Sequence, residues 1–407
     1  MVKGEAMVLG MLLAAALGGG AAAADHPGQK FLVRPADLPK PYATPAATNN
    51  NVSIFRPEGV MPEAPKGFTV SIFADGLSNP RGLLAAPNGD VFLSERNAGK
   101  ITLLRDAAGT GKADQRFTFV SGFVKPQGMA IKDGWFYFSD QMAVWRVPYK
   151  PGQTAGGKPE RVTIAPDLRN SGMHATRSIA VAPDGTVFVE MGSHDNISDF
   201  KPGAEVFRVD AKGNLVEYAS GIRNPVGIAF YPGTHDLFVA ANERDGLGDN
   251  LPPDYFTYVK PGGFYGYPYS YSGKNPDPDW GAKRPDLVAK AITPDVLFPA
   301  HSAPTGLTFY EGASFPAGYK GDAFVSLHGS WNTSVPHGYK VVRIHMKDGR
   351  VADHGFENFL TGFWDGKTTN PPKVWGRPVG LTVAKDGSLL IADDLGNVVW
   401  RVAYTGK

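Results

Sequence analysis

The chain has 407 residues, with 50 Gly, 34 Pro and 42% hydrophobic content, a composition that suits a turn-rich all-β protein with one extended core. Its 41 basic and 39 acidic residues leave a net charge of +2 without a basic stripe to track a phosphate backbone, which argues against nucleic acid as a partner. Having no cysteine, it forms no disulfide and cannot hold a haem through a Cys-x-x-Cys-His motif of its own.

Residues 1–24 read as a secretory signal: Lys3 precedes the apolar run "MVLGMLLAAAL" (7–17), and small residues follow, ending at Ala24, where cleavage is expected. That run is far shorter than the roughly 20 apolar residues a bilayer span needs. The sequence therefore predicts an exported, periplasmic protein with no transmembrane anchor. Residues 25–66 are Pro-rich and polar and predict an arm, either extended over the domain or partly disordered. Residues 67–407 are then the expected folded domain.

That domain is repetitive. After an unpartnered strand, "FTVSIFADGL" (68–77), a unit of two short alternating strands joined by a Gly-centred turn recurs six times. The copies are "NPRGLLAAPNGDVFLSE" (79–95), "KPQGMAIKDGWFYFSD" (125–140), "ATRSIAVAPDGTVFVEMG" (175–192), "NPVGIAFYPGTHDLFVA" (224–240), "APTGLTFYEG…GDAFVSL" (303–327) and "RPVGLTVAKDGSLLIAD" (377–393). Their equivalent positions are Gly82, Gly128, Ser178, Gly227, Gly306 and Gly380. Four-stranded propeller blades repeat every ~40–50 residues; the first three intervals fit this, and the last two leave room for long loops or extra hairpins. The expectation is a six-bladed β-propeller of four-stranded antiparallel blades, with 68–77 completing the sheet that ends in "NVVWRVAY" (397–404) and so closing the ring.

A propeller does not reveal its function, so the candidate site is sought in loops that depart from the repeat. His174 in "SGMHATR", Arg223 and Asn224 in "GIRNP", and Arg377 in "VWGRPVG" precede the first strands of units three, four and six. Equivalent places in the repeat put them on one face of the ring, near the channel. "ANERDGLGDNLPPDY" (241–255) follows the second strand of unit four; its oxygen-rich, Gly-containing run suits Ca²⁺, or else a solvated acidic turn, and Asp249 is a possible ligand on composition alone. The two long insertions are aromatic, with Tyr265, Tyr267, Tyr269 and Trp280 in one and Trp331, Trp364 and Trp375 in the other. Most of these are expected to pack on the rim, with Trp375, beside Arg377, assigned to the cleft.

In combination, "NPRGLLAAPNGDVFLSERNAGKITLL", "GIRNPVGIAF", "NERDGLGDNLPPDY" with "GGFYGYP", "SLHGSWN" and "GRPVG" make residues 65 to 404 similar to the soluble pyrroloquinoline quinone (PQQ)-dependent sugar dehydrogenases, and more closely to their sorbosone-dehydrogenase-like branch. The resemblance implies oxidation of an aldose or aldehyde sugar by hydride transfer to the quinone, with electrons passing to a separate acceptor, a cytochrome or a quinone. It makes His174 the general base, against the alternative of a satisfied structural histidine. Arg223 and Asn224 become the pair on the quinone oxygens, and Arg377 the arginine covering a cofactor that carries three carboxylates. It further implies Ca²⁺ held by backbone carbonyls at about Arg244 and Asp245. Arg177 is a basic candidate without a motif match.

Some positions depart from the family. Met173 stands where an Asp would precede the base, His328 where a cofactor-binding Lys is expected, His301 where a Thr lies near the cofactor, and Val379 where a second arginine would be. Two other readings stay open: a metal-dependent propeller lactonase, which needs acidic side chains converging on the channel, and a non-catalytic binding module.

Overall fold

The computed structural model describes residues 25–164, 168, 172 and 174–406. The proposed signal segment and Met173 lie outside the described residues. No helix among those described is long and apolar enough to cross a membrane.

Six antiparallel sheets radiate from a central channel, each contributing one of the strands Pro80–Ala85, Met129–Lys132, Ile179–Val181, Asn224–Phe230, Pro304–Phe309 and Pro378–Val383 to the inner wall. These are the first strands of the six sequence units, so each unit forms the inner half of one blade. Within blade 1, Leu83, Leu84 and Ala85 pair with Leu93, Phe92 and Val91 across a turn in which Gly89 adopts a φ of 102°.

The repeat glycine has a steric cause. A Cβ on Gly82 would run into Gln127 O of the next blade, one on Gly306 into Val379 O, and one on Gly380 into Arg81 O. Inner strands converge toward the channel, and at these three positions only a residue without a side chain allows that approach. In blade 1 the Gly82 N–H donates to Ser94 Oγ at 2.7 Å, and in blade 2 the Gly128 N–H donates to Ser139 Oγ at 2.9 Å. Blade 3 has Ser178 instead, and its N–H donates to the carboxylate of Glu190 at 2.8 Å.

Closure is as expected. Phe68–Ala74 pairs antiparallel with Val398–Tyr404, from Phe68 opposite Tyr404 to Ala74 opposite Val399, so the first strand after the arm completes the last blade. The apolar core lies between neighbouring sheets. Phe238, Phe256, Phe309 and Val325 fill one interface, and Phe92, Phe119, Phe136 and Phe138 another. The long intervals hold a hairpin and the short helix Pro285–Lys290 within blade 4, and loops with one hairpin within blade 5.

The arm 25–66 runs across these insertions. Lys30–Phe31 adds a fifth strand to blade 5, and Val52–Ser53 pairs in parallel with Lys373–Val374. Between them, Tyr42 N donates to Leu247 O, and Thr44 Oγ1 accepts from Asp249 N. The Asn49 amide donates to Thr333 O at 3.1 Å and Thr369 O at 2.8 Å, while its backbone N–H reaches Trp331 O at 2.7 Å. The arm thus fastens loops that carry site residues.

Candidate functional site

On one face of the ring, loops of blades 3, 4 and 5 enclose a cavity of about 240 Å³ whose lining includes His174, Arg223, Asn224, Glu243, His301 and Trp331. These loops either lead into an inner strand or leave a second strand. Antiparallel pairing brings both kinds of loop to the same face.

His174 Nδ1 lies 2.7 Å from Ser193 O, which fixes the proton on Nδ1 and leaves Nε2 as a lone pair without a partner among the described residues. Burial and the neighbouring Arg223 cation push its pKa down to about 3, so the ring is neutral at physiological pH. Gly192 brings it against Asn224: a Cβ there would lie 2.5 Å from Asn224 Oδ1 and 2.7 Å from His174 Cβ. Arg177 is fully buried, with Nε donating to Leu168 O at 2.6 Å and Nη1 to His174 O at 3.1 Å. It therefore braces the segment that carries the histidine and is not open to a ligand.

Arg223 has a structural share. Its Nη1 donates to Glu243 O at 2.7 Å, and its Nε and Nη2 to Asn196 O and Oδ1 at 3.0 and 3.1 Å. Asn196 Oδ1 also accepts from Asp245 N at 2.8 Å, and its amide donates to Asp245 O at 3.0 Å. Asn196 is thus a hub that sequence reasoning missed. Its signal was position, since "SHDNISD" follows the second strand of blade 3 as "NERDG" follows that of blade 4.

Three carboxylates reach the cavity: Glu243 and Asp245, both of the oxygen-rich run singled out in the sequence, and Asp254, which sequence reasoning did not single out. Burial pushes Glu243 up to about 8 against the pull of Arg223, and Asp254 up to about 6 despite N–H bonds from Glu243 and Ala303. Asp245 is held below its ordinary value: burial, which acts upward, is outweighed by His301 and Arg223. His301 Nδ1 lies 3.3 Å from Asp245 Oδ1 and its Nε2 3.2 Å from Gly248 O. Burial lowers its pKa, but Asp245 and Asp254 raise it further, favouring an imidazolium paired with Asp245. His301 and Ala303 have φ of 66° and 56°, left-handed values uncommon for non-glycine residues and concentrated at functional sites.

The residues named from sequence therefore divide. His174, Arg223, Asn224, Asp245 and His301 share the cavity. His328 and Arg377 lie together in a neighbouring cluster, with Arg377 Nε donating to His328 O at 3.0 Å. Arg244 turns its guanidinium away to Asp277 at 2.5 Å, and the Asp245 carbonyl accepts from Asn196 and from Arg244 Nε. Asp249 accepts from Ser334 N at 2.7 Å and serves loop docking outside the cavity. Trp375, expected in the cleft, is only 2% exposed and packs against Phe363 at 5.3 Å, bordering a separate cavity under the arm. The apolar neighbours from blade 6 and the arm claim it. Trp331, 44% exposed, is the indole that borders the site.

For a cofactor or cation, the telling atoms are Asn224 Oδ1 and Glu243 Oε1, both buried without a partner among the described residues and both in residues that line the cavity. Buried oxygens without donors are costly unless a ligand satisfies them, so the donor set fits a group bringing hydrogen-bond donors or positive charge. No group of three or more Asp, Glu or His side chains among the described residues is placed to hold a metal ion by itself.

Comparison with known proteins agrees with this fold. A protein of Borreliella burgdorferi described as uncharacterized is 30% identical over 84% of this chain and 90% of its own. The PQQ-dependent pyranose dehydrogenase of Coprinopsis cinerea is 25% identical over 83% of this chain, which spans about half (54%) of that enzyme. The holo form of that organism's pyranose dehydrogenase PQQ domain superimposes with a TM-score of 0.69 at 20% identity, covering 88% of this chain and 100% of the other. The narrower affinity to the sorbosone-dehydrogenase branch rests on the motifs alone. The model of the TrAA12-like family matches residues 62–405, and the chain belongs to this family of PQQ-dependent sugar dehydrogenases.

Proposed function

We propose that the protein is a PQQ- and Ca²⁺-dependent dehydrogenase that oxidises an aldose or aldehyde sugar and passes the electrons to a separate cytochrome or quinone acceptor, working as a periplasmic enzyme. The observation that carries this reading is the neutral His174, its Nε2 without a partner among the described residues, beside Asn224 Oδ1 and Glu243 Oε1, likewise unpartnered among them, in one cavity. When bound, PQQ supplies a two-electron acceptor and Ca²⁺ a Lewis acid.

The chain's own residues do the rest. His174 Nε2 takes the proton of a sugar hydroxyl, and Ser193 O, bonded to the Nδ1–H, stabilises the imidazolium that forms. Asn224, next to His174 at Gly192, orients the cofactor edge through its amide. Glu243 Oε1 and Asn224 Oδ1 are oxygens available to Ca²⁺, with the backbone around Arg244 and Asp245. Trp331 gives the mouth an aromatic face for a sugar's C–H face.

The carboxylates Glu243, Asp245 and Asp254 give one argument for a metal-dependent lactonase, since acidic groups at the channel are what that chemistry needs. Against it, Asp254 is bonded to the N–H groups of Glu243 and Ala303, and Asp245 to His301 and Asn332. The deciding test is dye-linked oxidation of an aldose and aldehyde-sugar panel, and hydrolysis of a lactone panel, with and without added PQQ and Ca²⁺ and after chelation. Oxidation requiring both additives is expected; lactone hydrolysis with metal alone would replace the quinoprotein reading.

A further inference from the structure

The insertion of blade 4 leaves its own blade and runs along the outer edge of blade 3. Gly262 N donates to Tyr218 O at 2.7 Å, Tyr265 N to Ser220 O at 2.9 Å and Tyr267 N to Gly221 O at 3.1 Å. Between this segment, the blade 3 loop around 198–204 and the helix Pro285–Lys290 lies a groove of about 650 Å³, larger than the cavity at His174 and within the range of small-molecule sites. One residue separates the two spaces. Asn196 O accepts from Arg223 Nε at 3.0 Å on the cavity side and from Tyr267 Oη, of the groove lining, at 3.3 Å. The loop that carries Ser198, Asp199 and Lys201 leaves the second strand of blade 3, so this edge of the groove lies on the face where the cavity opens.

The groove is aromatic, polar and electrically balanced. Phe264 and Tyr269 belong to its lining, with ring centroids 6.5 Å apart and planes tilted by 35°, and Trp280 lies 6.3 Å from Tyr269. Its charged residues largely answer one another. Arg284 forks onto Asp286 at 2.9 and 2.8 Å, and Lys201 stands between Glu205 and Glu217. Asp199, whose carboxylate accepts from Tyr269 Oη at 3.4 Å, and Lys290 add one charge of each sign. Such a lining has no excess charge for an ion to neutralise, yet it offers both donors and acceptors. Aromatic rings beside balanced donors and acceptors suit a neutral ligand with hydroxyl groups at its edge and a C–H face to lay on a ring. That is the chemistry of a saccharide.

We propose that this groove is a second, non-catalytic binding site for a short neutral oligosaccharide, with Tyr269 as the stacking ring and Asp199 as a hydrogen-bond acceptor, and that it holds a sugar chain whose end enters the cavity at His174. The link to the cavity rests on the function proposed above; saccharide binding in the groove does not. Anchoring one part of a chain beside the cavity raises the local concentration of its end there, without any new contact at the reacting group. A monosaccharide is too short to gain from it.

The test is calorimetric titration of the full chain, wild type, Asp199→Ala and Tyr269→Ala, with cellotriose, maltotriose and xylotriose. At least one trisaccharide is expected to bind wild type, and each substitution should weaken it by about tenfold, as loss of a hydrogen bond to a charged group or of a stacked ring does. Asp199 is exposed, so Asp199→Ala should keep the wild-type thermal midpoint and decides the matter if Tyr269→Ala fails to fold. Kinetics with PQQ and CaCl₂ test the link to the cavity: both variants should raise KM for the bound trisaccharide about tenfold at constant kcat and leave glucose oxidation unchanged. Absence of trisaccharide binding to wild type, or wild-type affinity in Asp199→Ala, would overturn the site. An unchanged KM for the trisaccharide would overturn its link to the cavity. If a trisaccharide binds and Asp199→Ala weakens it, but no sugar is oxidised, the groove stands and the dehydrogenase reading falls.

Discussion

In the proposed mechanism, the chemistry at His174 depends on a ring that stays neutral without being stripped of its lone pair. Replacing it with Ala should lower turnover by about 10²- to 10⁴-fold, the range for loss of a general base, while PQQ binding is retained; near-normal turnover would remove His174 from the mechanism. Its depressed pKa of about 3 also has a sign. A free imidazole gains a proton as pH falls through ~6.5, whereas this one does not, so the pH–rate profile should show no acid limb near 6.5. Stability follows the same linkage: the unfolded chain takes up that proton first, so the contribution is complete above pH 6.5 and is lost progressively as pH falls toward 3. Gly192→Ala tests the geometry. A Cβ 2.5 Å from Asn224 Oδ1 and 2.7 Å from His174 Cβ must separate the two side chains. Activity should fall at least about tenfold, as misplaced catalytic groups do, and a kinetic assay beside a thermal melt will separate this from unfolding.

Among the elements, the arm and the inner strands make opposite demands on sequence. The arm's composition announced only an extended polar segment. What it does depends on Asn49, whose amide and backbone join the 331–333 and 369 turns, more than 280 residues away in the chain. Asn49→Ala leaves the buried Thr333 carbonyl and the half-buried Thr369 carbonyl without this donor and should cost about 1–3 kcal/mol, measurable by urea unfolding. The inner strands, by contrast, were legible because each repeats one steric requirement. Gly306→Ala would drive a methyl into Val379 O and to 2.7 Å from Ser326 Oγ. A loss of about 1–3 kcal/mol is expected from such overpacking, and an unchanged midpoint would show that the blades can move apart.

For the whole molecule, stability rests on the ring being closed by strands from both ends of the domain. Phe68 packs against Phe315, Phe359 and Tyr404 at 4.7, 5.2 and 5.1 Å, so the closing strand ties blade 6 to blade 5 as well as to the C-terminus. A chain ending at Asn397 leaves Phe68–Ala74 without its partner strand and blade 6 with open edges. It should lose the single cooperative unfolding transition and gain susceptibility to proteolysis; a wild-type melt would show that blade 6 closes without this pairing.

Blade number, closure and the face of the channel followed from the sequence because they rest on local alternation, turn-forming residues and a small residue at each close inner approach, requirements that recur at every blade and so are written six times. The same repetition placed His174, Arg223, Asn224 and Arg377 at loops of one face. What each side chain does there was decided by contacts between distant segments. Arg223 is clamped by Asn196, Arg244 is drawn to Asp277, Trp375 is taken by the core, and Trp331 is left at the mouth. Loop side chains have no periodicity to fix their direction, and burial, charge pairing and the arm laid across them set it only once the ring has closed.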